Sequence, residues 1–235
     1  MHKRRSIFRA QSRKQFVALE VRDLAVFEVL ARYRYLTRDF VYALLPADIR
    51  GGEHGFRNRF VVLHHEGYLS CPRQQFSAVG AHYRKAIYEL GHRGAQVIGA
   101  PRTSYNGSFP HELMVNFVRA LIEISANANP EFRLISFEEL LTHPNCPTAT
   151  RLLKHPETLP LSTGQITADW KPFGIERTLP DGSKHRVFCP GFEADCGTEA
   201  IQRTVMKDSS IYRKLVEYNE VIDNRIYEQI GRAHV

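Results

Sequence analysis

The segment "APRTSYNGSFP" (residues 100–110) most constrains how this chain can fold. It packs two prolines, a glycine, an asparagine and two serines into one short stretch, which interrupts helix and strand alike. The charge changes across it. Residues 1–105 carry a net charge of +10, whereas the remaining residues carry −3, within a total of +7. A break in pattern that coincides with a break in charge predicts two domains with different work, over 22–100 and 109–229, with a basic arm at 1–21. The basic half is the candidate for contact with phosphate backbones.

Bulk properties remove several function classes. No apolar run is long enough to span a bilayer, and the start, "MHKRRSIFRAQSRKQF", lacks the apolar core of a signal peptide. Cys71, Cys146, Cys189 and Cys196 form no CxxC pair, so a secreted disulfide scaffold and a zinc ribbon are not expected. The expectation is a cytoplasmic protein with reduced thiols.

In the first half, "RDLAVFEVLARYRYL" places Val26, Leu30 and Tyr33 on one helical face, with Asp23 near the helix start. Thr37 suits the N-cap of a second helix with Phe40, Val41 and Leu44 inward, stopped by Pro46. "FRNRFVVLHHEGYL" repeats Phe56, Phe60 and Leu63 at helical spacing and ends at Gly67. Two strand segments around a loose turn follow, over "YLSCPRQQFSAVGAHYRKAIYEL". Three helices and then a β-hairpin make a winged helix-turn-helix. Its third helix is the one expected in the major groove of double-stranded DNA, presenting Arg57, Asn58, Arg59 and also His64. Arg73, Arg84 and Lys85 are expected on or beside the wing.

In the second half, "PHELMVNFVRALIEISAN" is an amphipathic helix, with Leu113, Phe117, Leu121 and Ile124 in one stripe. "EFRLISFEELL" reads as a strand, and residues 142–169 as a long loop with one short helix. "FGIERTLPDGSKHRVFCPGFEADCG" reads as two strands about a turn. A long helix is expected from Thr198, with Ile201, Val205, Tyr212, Leu215 and Ile222 facing the core. The predicted fold class is therefore α+β: the winged helix-turn-helix followed by an α/β domain. The order helix, strand, strand, strand, helix is that of the PD-(D/E)xK nuclease core, lacking its last strand.

Three acids stand out in this half. Glu193 and Asp195, two apart in an extended run, point to one side, and Asp181 at the end of the neighbouring strand is expected to meet them. Such carboxylates suit Mg²⁺, which would activate a bound water and stabilise charge on a phosphate. A nuclease normally carries a lysine two residues after the glutamate, but Asp195 stands there. Lys207, with Arg203 one turn away, is the candidate to replace it from the following helix. A second role is open to the same residues. "PDG" is a turn signal that accounts for Asp181, while Asp195 and Thr198 suit a helix cap.

Several of these stretches together resemble one family. "LTRDFVYALL", "YELGHRGAQVIG", "HELMVNFVRAL", "LPDG" and above all "FEADCGTE" are similar to the replication-relaxation proteins of bacterial plasmids and integrated elements, over roughly residues 22–222. In that family a Pro-Asp precedes a strand ending Glu-x-Asp-x-Gly-Thr, followed by a helix bearing a tyrosine such as Tyr218. The resemblance implies a winged helix joined to a nuclease-like domain, acting in plasmid replication or in DNA relaxation and transfer. It carries Asp181, Glu193 and Asp195 over as metal-site acids of an Mg²⁺-dependent endonuclease, or of an inactive version that only grips DNA. A non-enzymatic transcriptional regulator is the alternative. Expected partners are double-stranded DNA, other replication or transfer proteins, and a second copy in a homodimer. The ending "IGRAHV" (230–235) matches the translation of a common sequencing adapter, so a non-native tail is expected there, with the natural chain continuing beyond Gln229.

Overall fold

Asp23 organises the start of the fold in the computed structural model of the chain, which describes residues 17–76, 85–101, 108–144, 146–195 and 210–226. Its carboxylate accepts a hydrogen bond from the Glu20 N–H at 2.8 Å, satisfying a donor that helix α1 (Val21–Tyr33) cannot pair internally. Val26, Leu30 and Tyr33 of α1 are buried as their spacing predicts, and Phe27 and Val29 are buried with them. After β1 (Leu36–Thr37), the Thr37 hydroxyl accepts from Phe40 N and caps α2 (Arg38–Leu44). A short α3 (Ala47–Arg50) leads to α4 (Glu53–His65), which buries Phe56, Phe60 and Leu63. Gly67, at φ +76°, supplies the left-handed turn that stops α4.

The sheet of this unit is small. Strand β2 (Leu69–Ser70), a 3-10 turn (Arg73–Phe76) and β3 (Ile87–Leu90) follow α4. β3 lies between its neighbours, antiparallel to both, in the order β1-β3-β2 with Thr37 opposite Ile87 and Leu69 opposite Leu90. Helix α5 (His92–Ile98) follows directly. A ladder of rings ties these elements together: Tyr42, Phe56, Phe60 and Tyr88 meet in sequence with centroids 5.0, 5.4 and 4.8 Å apart. Gly91 and Gly94 let the main chain pass unusually close to its neighbour. A Cβ at Gly91 would lie 2.4 Å from the Gly67 carbonyl oxygen, and one at Gly94 2.4 Å from that of Tyr68.

Among the ion pairs that cross this unit, one holds a carboxylate with no exposure at all. Asp23 is fully buried and receives both Nε (3.0 Å) and Nη2 (2.5 Å) of Arg59, so the guanidinium grips the carboxylate with a two-pronged fork. Arg59 Nη2 also donates to the Ala18 carbonyl at 2.6 Å. The carboxylate beside it raises the Arg59 pKa further above its ordinary value. α4 is thereby fastened to the start of α1.

The chain divides into two compact units, Met1–Ala120 and Leu121–Val235, and the division falls inside helix α6 (Phe109–Ala128). In the second unit, the strand expected over "EFRLISFEELL" is only four residues long, β4 (Phe132–Ile135). Ser136 ends it, its hydroxyl accepting from Glu139 N at 3.1 Å to cap α7 (Phe137–Thr142). The stretch expected as a loop holds α8 (Thr148–Arg151) and an antiparallel hairpin, β5 (Thr158–Leu161) with β6 (Gly164–Thr167). Strands β7 (Phe173–Thr178) and β8 (Lys184–Cys189) then complete an antiparallel sheet ordered β4-β7-β8.

Helix α9 (Ile211–Asp223) corrects the expected inward face. Tyr212, Leu215 and Ile222 are exposed, whereas Val221 is buried with Ile135, Phe137, Leu140, Leu159 and Ile166. The reason is a break in phase. Ser210 has extended backbone and caps α9 through its hydroxyl, so no continuous helix from Thr198 reaches this point. Ile201 and Val205 lie outside the described residues. Among the described residues the fold is mixed α+β with small antiparallel sheets, and no helix is long and apolar enough to cross a membrane.

Buried Glu176 on β7 pairs the three strands electrostatically. Arg133 and Arg186 stand opposite it on β4 and β8, and Lys184 Nζ reaches it at 2.8 Å. Hydrogen bonds from Lys184, then from Arg186 and Arg133, hold its carboxyl down to about 2. The sign follows: its contribution to stability is present above the ordinary glutamate value and is lost as pH falls toward 2. The stability gap between wild type and Glu176→Gln should therefore narrow between about pH 4.5 and 2. Urea titrations followed by fluorescence of Trp170, the single tryptophan, report on this unit. In the first unit, Arg59→Ala strands a buried carboxylate and should cost about 3 kcal/mol. Circular dichroism of chemical denaturation measures it, and an unchanged midpoint would disprove the role given to this pair.

Candidate functional site

The cage that α4 builds around Phe56, Phe60 and Leu63 decides what it offers outward. His54, Arg57, Asn58, Val61 and Val62 are all exposed along its free face. Asn58 Nδ2 lies 3.2 Å from His54 Nε2, one turn earlier. Arg57 makes no ion pair with any described residue, so its five N–H donors face solvent. Of the four outward residues expected here, two differ. Arg59 is turned inward onto Asp23, a partner 36 positions away that no local pattern reveals. His64 is buried, its Nε2 3.5 Å from Cys71 Sγ and its ring edge-on to Tyr88. Burial pushes the His64 pKa down and the Cys71 thiol up to about 12. Burial thus works against the thiolate that a nucleophilic cysteine needs.

The flanking cations are distributed unevenly. Arg73 is exposed in the 3-10 turn after β2. Lys85 is exposed but pairs at 2.6 Å with Asp39, which also receives Arg38. The Lys85 ammonium, with Arg38, holds the Asp39 carboxyl below its usual range. Arg84 lies outside the described residues.

In the second unit the three expected acids do not meet. Asp181 sits in the turn at one end of the β7–β8 hairpin, beyond the Thr178–Lys184 pair, and is fully exposed. Its Oδ1 accepts from the Ser183 N–H at 2.9 Å and its hydroxyl at 2.6 Å, an Asx-turn that lowers the carboxyl pKa. Glu193 lies past the other end, where Phe173 pairs with Cys189 and Phe192 bridges to Trp170. The paired strands between those ends run roughly 17 Å, at about 3.4 Å per residue. That span exceeds the reach of one cation. The residues 193–195 are irregular, and Asp195 is exposed.

Glu193 has a different set of neighbours. Lys214 Nζ stands 3.0 Å from Oε2, and the Tyr218 hydroxyl donates to Oε1 at 2.5 Å. Lys214 and Tyr218 are one turn apart on α9, so they grip the carboxylate as a pair. Asp169 lies nearby, its Oδ2 accepting from Ala194 N at 2.9 Å. Burial raises the Glu193 pKa, with the charge of Asp169 adding to it, against the opposing pull of Tyr218 and Lys214. The Tyr218 phenol is raised too, by burial and by Glu193. Sequence reasoning missed Asp169 and Lys214; the i, i+4 spacing of Lys214 and Tyr218 was the available signal. Lys207 and Arg203 lie outside the described residues.

Mg²⁺ requires several oxygen ligands in a near-octahedral shell. Both oxygens of Glu193 are already taken by a phenol and an ammonium, and Asp181 is remote. Among the described residues no group of three or more His, Cys, Asp or Glu side chains converges to hold a metal. The acids do not fit the ion as a set. Their geometry suits a structural clasp between the Phe192 strand end and α9. Tyr218→Phe removes a hydrogen bond to a charged acceptor and should cost about 1.5–3 kcal/mol. Urea unfolding monitored at Trp170 tests this, and no loss would mean that Glu193 is held by Lys214 alone.

Residues 27–231 match the family described as replication-relaxation. No curated protein and no solved structure matches the chain.

Proposed function

The chain belongs to the replication-relaxation family, and we propose that it acts in the replication or relaxation of a plasmid or mobile element by gripping duplex DNA. The observation that carries this is the free face of α4, where Arg57 and Asn58 stand exposed on a helix anchored by Arg59. The order α1, β1, α2, α4, β2, β3, with β3 central in a three-stranded sheet, supports a winged-helix reading of the first unit. α4 then enters the major groove, Arg57 and Asn58 meet base edges, and Arg73 contacts the backbone. The strongly basic balance of residues 1–105 adds a nonspecific attraction to phosphates.

The second unit is read as a nuclease-like module that holds DNA or a protein partner without cutting. The antiparallel run β4, β7, β8 between α6 and α9 supports the likeness to a nuclease core. The engagement of Glu193 by Lys214 and Tyr218 supports the absence of cutting. The cell compartment in keeping with such work is the cytoplasm.

Arg57→Ala and Asn58→Ala should each weaken duplex binding by about 1–3 kcal/mol, measured by fluorescence anisotropy at fixed salt. Full affinity in both variants would place another element in the groove. Supercoiled plasmid incubated with the protein in Mg²⁺ should stay intact. Nicking that disappears in Glu193→Gln would overturn the holding role and make Glu193 catalytic.

A further inference from the structure

We infer that Val61 and Val62 of α4 read thymine, through contact with its C5-methyl group in the major groove. This rests on the duplex-binding reading above and adds the base that the helix selects. Arg57, Asn58, Val61 and Val62 form one patch, because residues three and four apart on a helix are neighbours. The valines are 44% and 37% exposed, one turn beyond the arginine and asparagine.

Two branched side chains at such positions lower helix propensity, and each leaves more than a third of its surface to solvent. Their exposed methyl groups suit an apolar group that docks beside Arg57 and Asn58. The major groove offers a single apolar group, the thymine methyl, and it lies alongside the edges that Arg and Asn suit. A phosphate contact would favour Lys, Arg, Ser or a backbone N–H at these places. Glu53, in the first turn, is the acid on this exposed side, and its charge keeps phosphates away from the start of the helix. The patch therefore favours groove-floor contact over backbone contact. Asn58 suits adenine and the valines suit its pairing partner, so A·T pairs are the predicted target of this half of the helix.

The test begins by selecting duplexes from a randomised pool with the full chain. Each thymine of the selected site is then replaced in turn by deoxyuridine, which differs only by the missing methyl. Wild type should lose roughly fourfold in affinity at one or two positions, the worth of one buried methyl-sized group. Val61→Ala/Val62→Ala should bind the thymine site more weakly and show no further loss on uracil substitution. Both positions are exposed, so the variant keeps its fold, which a circular dichroism melt verifies. If uracil is tolerated everywhere, or if variant and wild type lose equally, the valines do not read the methyl, although duplex binding stands. If no duplex is enriched, the DNA-binding reading itself fails and this inference with it.

Discussion

The grip of Arg59 on Asp23 is the interaction on which the first unit depends. A carboxylate with no exposure is costly to bury, and it persists because a planar guanidinium and a backbone N–H meet its oxygens. The same contact fixes the rotation of α4 about its own axis. With Arg59 pulled toward α1 and Phe60 and Leu63 toward the core, the opposite side is committed to solvent. An arginine that sequence pattern assigns to an outside partner is thus spent inside, and it sets the stage for the arginine two residues earlier.

The second unit spends its acids in a comparable way. Glu176 joins three strands by facing a cation from each neighbour and one from its own hairpin. Glu193 joins a strand end to α9 through a lysine and a tyrosine. Asp181 shapes a turn. Each carboxylate has a local electrostatic duty, and none of these duties requires a metal. What distinguishes Glu193 is its company: a second acid close by, partial burial, and a phenol that donates a hydrogen bond to it.

The local signals were legible; the long-range ones were not. Thr37 and Gly67 mark their helix ends through their own chemistry, and the structure uses both so. The Ser136 cap was also readable, since Ser136 with Glu139 three residues on is a capping-box pattern within "SFEEL". The β5–β6 hairpin was obscured by Pro160 and by a Ser, Thr and Gly composition that suits loops equally well. Arg59 and Glu193 could not be assigned from pattern, because their partners lie 36 and 25 positions away. The separation of Asp181 from Glu193 was legible, because a hairpin that turns at "PDG" puts Asp181 at one end and the residues after its second strand at the other.

The glycines at 91 and 94 bear on how such a protein can diversify. At both places backbone rides on backbone, with no room for even a methyl beside the carbonyls of Gly67 and Tyr68, just past the end of α4. Any larger residue would shift the hinge by which that helix is hung. The exposed side of α4 touches no such seam, and its residues are free to drift. Frame and surface are thus decoupled: the solvent-facing letters of α4 can change while the pinched crossing beneath them stays fixed.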